Sequence, residues 1–256
     1  MRKTRLRLAA AVLPALLFAA ACSGSSDDKS PSDAGGHSSS GSPAPGSSAT
    51  AGPQAPDSGG KTPLTKAQLT SALIATTDVP GYQVQVSQTD DTKDTSTLTS
   101  DKPQCQPMAD ITSSKPAIVR KAFVGAAFAK ATATGNPDEI TQMLVASHAQ
   151  GDAKKVIASL RDALSKCTTF TATDNTGVKT PFAITKKPAA SAGDEAVSYV
   201  MTDTKDAKTG AASVTVVRTG ETITAYLSVK SAGGPGTLPV DVARKQSDKL
   251  KAAQAK

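Results

Sequence analysis

Few side chains in this sequence could do chemistry, and they are widely spaced. Two histidines occur in 256 residues. His37 sits in a run of Ser, Gly and Pro, where solvation is the expected state. His148 follows Ser147 at the end of an apolar stretch and could act as a general base if an acid oriented it. A lone histidine without a patterned partner reads instead as a surface residue, because perturbation by specific neighbours is what marks a functional one. Asp90, Asp91, Asp94 and Asp101 could surround a hard cation, since calcium takes carboxylate oxygens. Their spacing lacks the glycine and closing glutamate of an EF-hand and Lys93 interrupts it, so the segment reads as a solvated acidic loop. No Gly-x-Ser-x-Gly, Gly-rich phosphate loop or His-Glu-x-x-His occurs from residue 63 onward. The expectation is a chain with no catalytic, metal or cofactor site.

The three cysteines carry more information. Cys22 closes a segment with a basic start (Arg2, Lys3, Arg5, Arg7), an apolar stretch from Leu8 to Phe18 and the run Ala19-Ala20-Ala21. That order is a secretory signal peptide, residues 1–21. Its apolar stretch is shorter than the roughly 20 residues a membrane span needs. Small residues followed at once by cysteine look like the lipobox of bacterial lipoproteins, although Ala19 stands where leucine is usual. On that reading Cys22 takes a diacylglyceryl group and becomes the new N-terminus, and two acyl chains make a stable anchor where one is marginal. The alternative is ordinary secretory cleavage near Ala21 with a free Cys22 thiol. The expected address is the extracytoplasmic face of the cell membrane, with the membrane itself as one partner through the lipid.

Export puts Cys105 and Cys167 in an oxidising compartment, where two cysteines permit one bridge. A redox pair or a metal site is the alternative, but there is no Cys-x-x-Cys, and His148 is the only histidine beyond the tether. We expect a structural disulfide.

Charge narrows the partners. The chain carries a net +7. Removing the signal leaves 25 basic against 22 acidic residues, or +3. That balance, with no Trp and few aromatic residues to stack bases, argues against nucleic acid. The lack of Trp also disfavours carbohydrate, although Tyr82, Tyr199 and Tyr226 remain.

Residues 22–62 form the lipidated cysteine and a tether. From residue 23 to 62 there is no Leu, Ile, Val, Phe or Tyr, so nothing offsets the entropy of ordering the chain. A flexible coil of that length reaches roughly 35 Å. Residues 63–256 form one domain. Thr65 and Gln68 have capping-box spacing, with Leu64 and Leu69 placed as a hydrophobic staple. The helix they open should bury Leu69, Ala72 and Leu73 and stop before Val79-Pro80-Gly81. Tyr82, Val84 and Val86 alternate with polar residues as a strand. Strands follow at 120–132 and 139–147, joined by a turn at Gly135-Asn136-Pro137. A helix capped by Asp152 should bury Val156, Leu160, Ala163, Leu164 and Cys167. Strands return at 168–174, 180–186, 196–203, 212–218 and 222–230. In the last, Ile223, Ala225, Leu227 and Val229 alternate with Thr222, Thr224, Tyr226 and Ser228, which reads as a buried apolar face and a wet polar one. A final helix from about Pro239 should turn Val240, Ala243, Ser247 and Leu250 inward and Arg244, Lys245, Lys249 and Lys251 outward. Its basic side could meet anionic lipid, but Asp248 breaks it and a solvated face is expected. The sum is an α+β domain: an antiparallel β-sheet with helices packed on it.

Three features then point to a family. An Ala-Leu pair precedes the Asp-Val-Pro-Gly-Tyr turn at 78–82, a lone cysteine follows downstream, and a second cysteine ends a helix before Thr-Thr-Phe-Thr, from Cys167 to Thr171. The chain resembles the extracellular sensor domains of the PknH-like family, including their stand-alone actinobacterial lipoprotein relatives. The resemblance covers about residues 63 to 256. It implies an antiparallel sheet packed by helices around a cleft and a ligand-sensing role; the anchor, tether, disulfide and absence of catalytic patterns point to a binding module for a small envelope ligand or a protein partner. It transfers no catalytic residue. The kinase domain has two disulfides where this chain can form one, and the kinase and its membrane span are absent. A lipid carrier, or an envelope hydrolase or transferase using His148, is the alternative function.

Overall fold

Local signals at the start of the domain are met atom for atom. Thr65 accepts the Gln68 amide at 3.3 Å, and the Gln68 side chain returns a bond from the Thr65 amide at 2.8 Å. That box opens α1, Lys66–Ala72, and the staple residues Leu64 and Leu69 are both buried. The structure is a computed structural model that describes residues 62–87, 96–133 and 135–256. The signal peptide, Cys22, the tether with His37, and Asp90, Asp91 and Asp94 lie outside the described residues.

Among the described residues nine strands form one sheet: β1 Tyr82–Val86, β2 Leu98–Ser100, β3 Ala122–Lys130, β4 Glu139–Ser147, β5 Thr169–Asp174, β6 Lys179–Lys187, β7 Glu195–Asp203, β8 Ala211–Thr219 and β9 Thr222–Lys230. Their order is β1-β3-β4-β9-β8-β7-β6-β5-β2, and each neighbouring pair is antiparallel. The other helices are α2 Gln106–Asp110, α3 Asp152–Lys166 and α4 Val240–Gln254. The α+β expectation holds.

Alternation along the strands sends side chains to two separate cores. Val124, Ala126, Phe128, Met143, Val145 and Tyr226 face α1 and α4 on one side. Val197, Tyr199, Val214, Val216 and Ile223 face α2 and α3 on the other. Helices therefore cover part of each face, and the expectation for β9 is overturned. Its polar set Thr222, Thr224, Tyr226 and Ser228 is the more buried, each at 1% exposure, while Ala225, Leu227 and Val229 are half-buried. Hydroxyl pairing offsets much of the cost of that burial: Thr141 bonds Ser228 at 2.9 Å, and Ser198 bonds Thr215 at 3.0 Å on the same face.

The helices correct three further expectations. The cap of α3 is Gly151, whose φ of 80° suits a residue without a Cβ, and Asp152 is the first helical residue, paired with Lys155 at 2.8 Å. Ile157 is fully buried in α3 where Val156 and Leu164 are only half-buried. In α4 Val240 is exposed, and the inward face is Val242, Ala243, Gln246, Ser247 and Leu250. Buried Gln246 joins α4 to α1 by accepting the Ile74 amide and donating to the Ala72 carbonyl, both at 2.9 Å. Of the outward set, Lys249 is half-buried against Asp78 at 2.6 Å and Arg244 donates to the Ser191 carbonyl at 2.7 Å.

Candidate functional site

The disulfide and one arginine shape the site. Cys105 sits at the start of α2 and Cys167 just past the end of α3, both buried, with their Cα atoms 5.7 Å apart in a disulfide. The bridge fixes α2 to α3 at one end. At the other, Arg120 donates to the carbonyls of Asp110, Ile111 and Ser113 at 2.9–3.0 Å, which satisfies the open end of α2 and opposes its dipole. The Arg120 guanidinium also lies 5.8 Å from the ring centre of Phe123.

A cleft lies between this pinned pair and the sheet. Its floor is Leu144 and Ala146 of β4 with Ile223 and Ala225 of β9. Val156 and Ser159 of α3 form one wall, and Pro107, Asp110, Ile111, Pro116, Ile118 and Arg120 form the other. His148 closes one end, and the enclosed volume is about 40 Å³.

Sequence reasoning placed His148 on the surface, and the structure overturns that. It is 3% exposed because the chain turns sharply after β4: the His148 amide donates to the Glu221 carbonyl at 2.9 Å, and the Glu221 carboxylate accepts the Gly151 amide at 3.0 Å. A periodicity argument stops at the strand end and cannot see this packing. Burial pushes the imidazole pKa down to about 4, and the Arg120 charge adds to the effect. The Val119 carbonyl and the Asp152 and Glu221 carboxylates oppose it without prevailing. The ring is therefore neutral at pH 7. Nδ1 is buried and has no hydrogen-bond partner among the described residues.

The remaining polar groups of the cleft are already engaged. Asp110 accepts from Gln106 at 2.7 Å and from the Ala117 amide at 3.1 Å, and Ser159 donates to the Val156 carbonyl at 2.9 Å. Sequence patterning had no signal for this site beyond His148 itself and the two cysteines.

A second hollow of about 390 Å³ lies open to solvent between the 190–196 segment and α4. Its carboxylates Asp194 and Glu195 are paired within the protein. Arg218 bridges Asp194 at 3.2 Å and Glu195 at 2.9 Å, Arg161 reaches Glu195 at 2.7 Å, and Lys251 lies 3.8 Å from Asp194. This is an ion network tying β7 and β8 to α3 and α4.

The other candidate residues are not brought together. Exposed Asp101 is spent on β5, accepting the Thr171 amide at 2.7 Å, and no cluster of three metal-ligating side chains occurs among the described residues. Tyr199 and Tyr226 are 1% exposed, which removes them as sugar-stacking platforms, and Tyr82 packs edge-on against Phe128. No helix among the described residues is long and apolar enough to cross a membrane.

Comparison with known proteins agrees with this architecture. The extracellular domain of PknH from Mycobacterium tuberculosis is similar in structure, with a TM-score of 0.50 and 14% identity, covering 77% of this chain and all of that one. At that identity the likeness is one of fold. An uncharacterized protein from Mycobacterium smegmatis aligns at a TM-score of 0.29 and 14% identity, covering 74% of this chain and 93% of its own. No curated protein matches in sequence. The family of PknH-like extracellular domains matches residues 60–249, most of the chain, and this protein belongs to that family.

Proposed function

We propose that this protein is a lipid-anchored binding module of the cell envelope. Diacylglyceryl-Cys22 holds it to the extracytoplasmic face of the membrane, residues 23–62 let the domain range away from the bilayer, and the cleft beside His148 receives a small ligand. The observation that carries the reading is the cleft itself, held between the disulfide-pinned α2–α3 pair and the sheet and lined largely by apolar side chains, with buried His148 in its lining.

Binding is favoured over catalysis on the state of the same residue. A general base works best with a pKa near the operating pH, and about 4 is far below it. Asp152 and Glu221, the carboxylates that influence His148, are committed to Lys155 and to the Gly151 amide. A carrier that engulfs a whole lipid is disfavoured too, since about 40 Å³ holds only a few water-sized groups, enough for one end of a ligand.

Native mass spectrometry of the protein purified from the producing bacterium tests the reading. A small molecule retained in the native spectrum and released on denaturation supports it, and an empty protein shifts the search to protein partners. Fractionation of Cys22→Ser cells tests the anchor: the variant should leave the membrane fraction, and retention there would refute lipidation at Cys22.

A further inference from the structure

We infer that the hollow between the 190–196 segment and α4 binds a short peptide by its two charged ends, the carboxylate on Arg244 and the ammonium on Asp248. This is a second site with its own lining, and it goes beyond the reading of the cleft against α2 and α3.

Helical spacing builds one wall. Arg244, Ser247, Asp248 and Lys251 fall on one stripe of α4, and all four line the hollow. The facing wall is held in place before anything binds. Gly193 has a φ of 65° and sits so close to β8 that a Cβ would lie 2.5 Å from the Arg218 carbonyl. Arg218 clamps Asp194 and Glu195, and Arg244 ties the segment to α4 by donating from Nε to the Ser191 carbonyl at 2.7 Å. Walls fixed in advance leave little ordering to be done on binding.

The charges that remain define the ligand. Asp194 and Glu195 are matched by Arg218 and Arg161, with Lys251 a further 3.8 Å from Asp194. Arg244 meets a carbonyl and no carboxylate, so its charge is not neutralised. Exposed Asp248 makes no hydrogen bond or ion pair among the described residues. A simple anion entering here meets Asp248, and a simple cation meets Arg244 and Lys251. A molecule carrying both charges satisfies each. Cβ atoms one turn apart on a helix are separated by about 5–6 Å, and two extended residues span about 7 Å, so the ends of a dipeptide match the pair. The hollow of about 390 Å³ has room for it, since roughly 30 Å³ is one water's share of the liquid and a dipeptide has about a dozen heavy atoms.

The test is NMR titration of the exported protein, labelled with 15N, with three probes: alanylalanine, its N-acetyl derivative and its C-terminal amide. The expected result is saturable movement of the amide resonances of 190–194 and 244–251 by the free dipeptide. Either cap should weaken binding about tenfold, the factor at the lower end of what a hydrogen bond to a charged group supplies. Arg244→Gln should bind the free dipeptide and the amide alike, and Asp248→Asn should bind the free dipeptide and the acetyl derivative alike. Both side chains are exposed, and the comparison of probes is made on the unaltered protein, so the test does not depend on how either variant folds. Weakening by one cap alone overturns the two-ended assignment in favour of a ligand with a single charge. Equal binding of all three probes overturns recognition by charge. No saturable movement at 190–194 or 244–251 with the free dipeptide overturns the hollow as a peptide site, and leaves the reading of the cleft where it stood.

Discussion

Acidification from pH 7 to pH 5 should remove about 2 kcal/mol of folding stability through His148. The imidazole has a pKa of about 4 in the folded protein against 6.5 when unperturbed. Between those values the unfolded chain binds the proton and the folded one does not, so stability falls as pH falls. The contribution is whole above pH 6.5, declines through the window and is fully lost below pH 4. At 1.36 kcal/mol per tenfold the complete loss is about 3 kcal/mol, of which about 2 is reached by pH 5. Carboxylates titrate lower: the Lys249 bond holds the Asp78 pKa below its ordinary value, and the Arg161 bond does so for Glu195. The assay is urea denaturation of the wild type and His148→Phe at both pH values. The variant should lose about 2 kcal/mol less than the wild type over this interval, whatever its stability at pH 7. Equal losses in the two proteins would refute a buried, neutral His148.

The other predictions concern what holds the cleft and the two cores. Replacing both Cys105 and Cys167 by Ser opens a loop spanning 62 residues in sequence. The loss by denaturant titration should be about 4 kcal/mol in the chain-entropy account, with α2 losing amide protection first. Gln246→Leu leaves the Ile74 amide and the Ala72 carbonyl unpaired in the core, and should lower stability by about 2–4 kcal/mol in the same assay. Gly193→Ala combines a φ of 65° with a Cβ only 2.5 Å from the Arg218 carbonyl, and should cost more than the roughly 1–2 kcal/mol of left-handed strain alone. Gly81→Ala, at a φ of 85° with open space around it, should show only that strain in thermal unfolding.

Eight of the nine strands were legible, β4 and β9 to the residue, from apolar runs bounded by turns and, in β1 and β9, from a period of two. β2 has three residues and α2 five, too few for any period, and both were missed. The partner of each face was not legible. Thr222, Thr224 and Ser228 look like a solvent face, yet all three are buried: Ser228 pairs with Thr141 on the neighbouring strand and Thr222 accepts from Gln254 of α4. His148 was misplaced for a related reason. Its burial comes from contacts across the chain, with Glu221 more than seventy positions away and Arg120 on another strand's approach. The cysteine pair was legible because two thiols in an oxidising compartment leave one pairing.

The claim that the cleft beside His148 is the ligand site is tested most directly by filling it. Ala225 on the cleft floor is half-buried, so Ala225→Phe places a ring in the space while leaving the strand's hydrogen bonds in place. Wild type and variant, purified from the producing bacterium, would be compared by native mass spectrometry. The account predicts a small-molecule adduct on the wild type that is absent from the folded variant. The same adduct on both would contradict it.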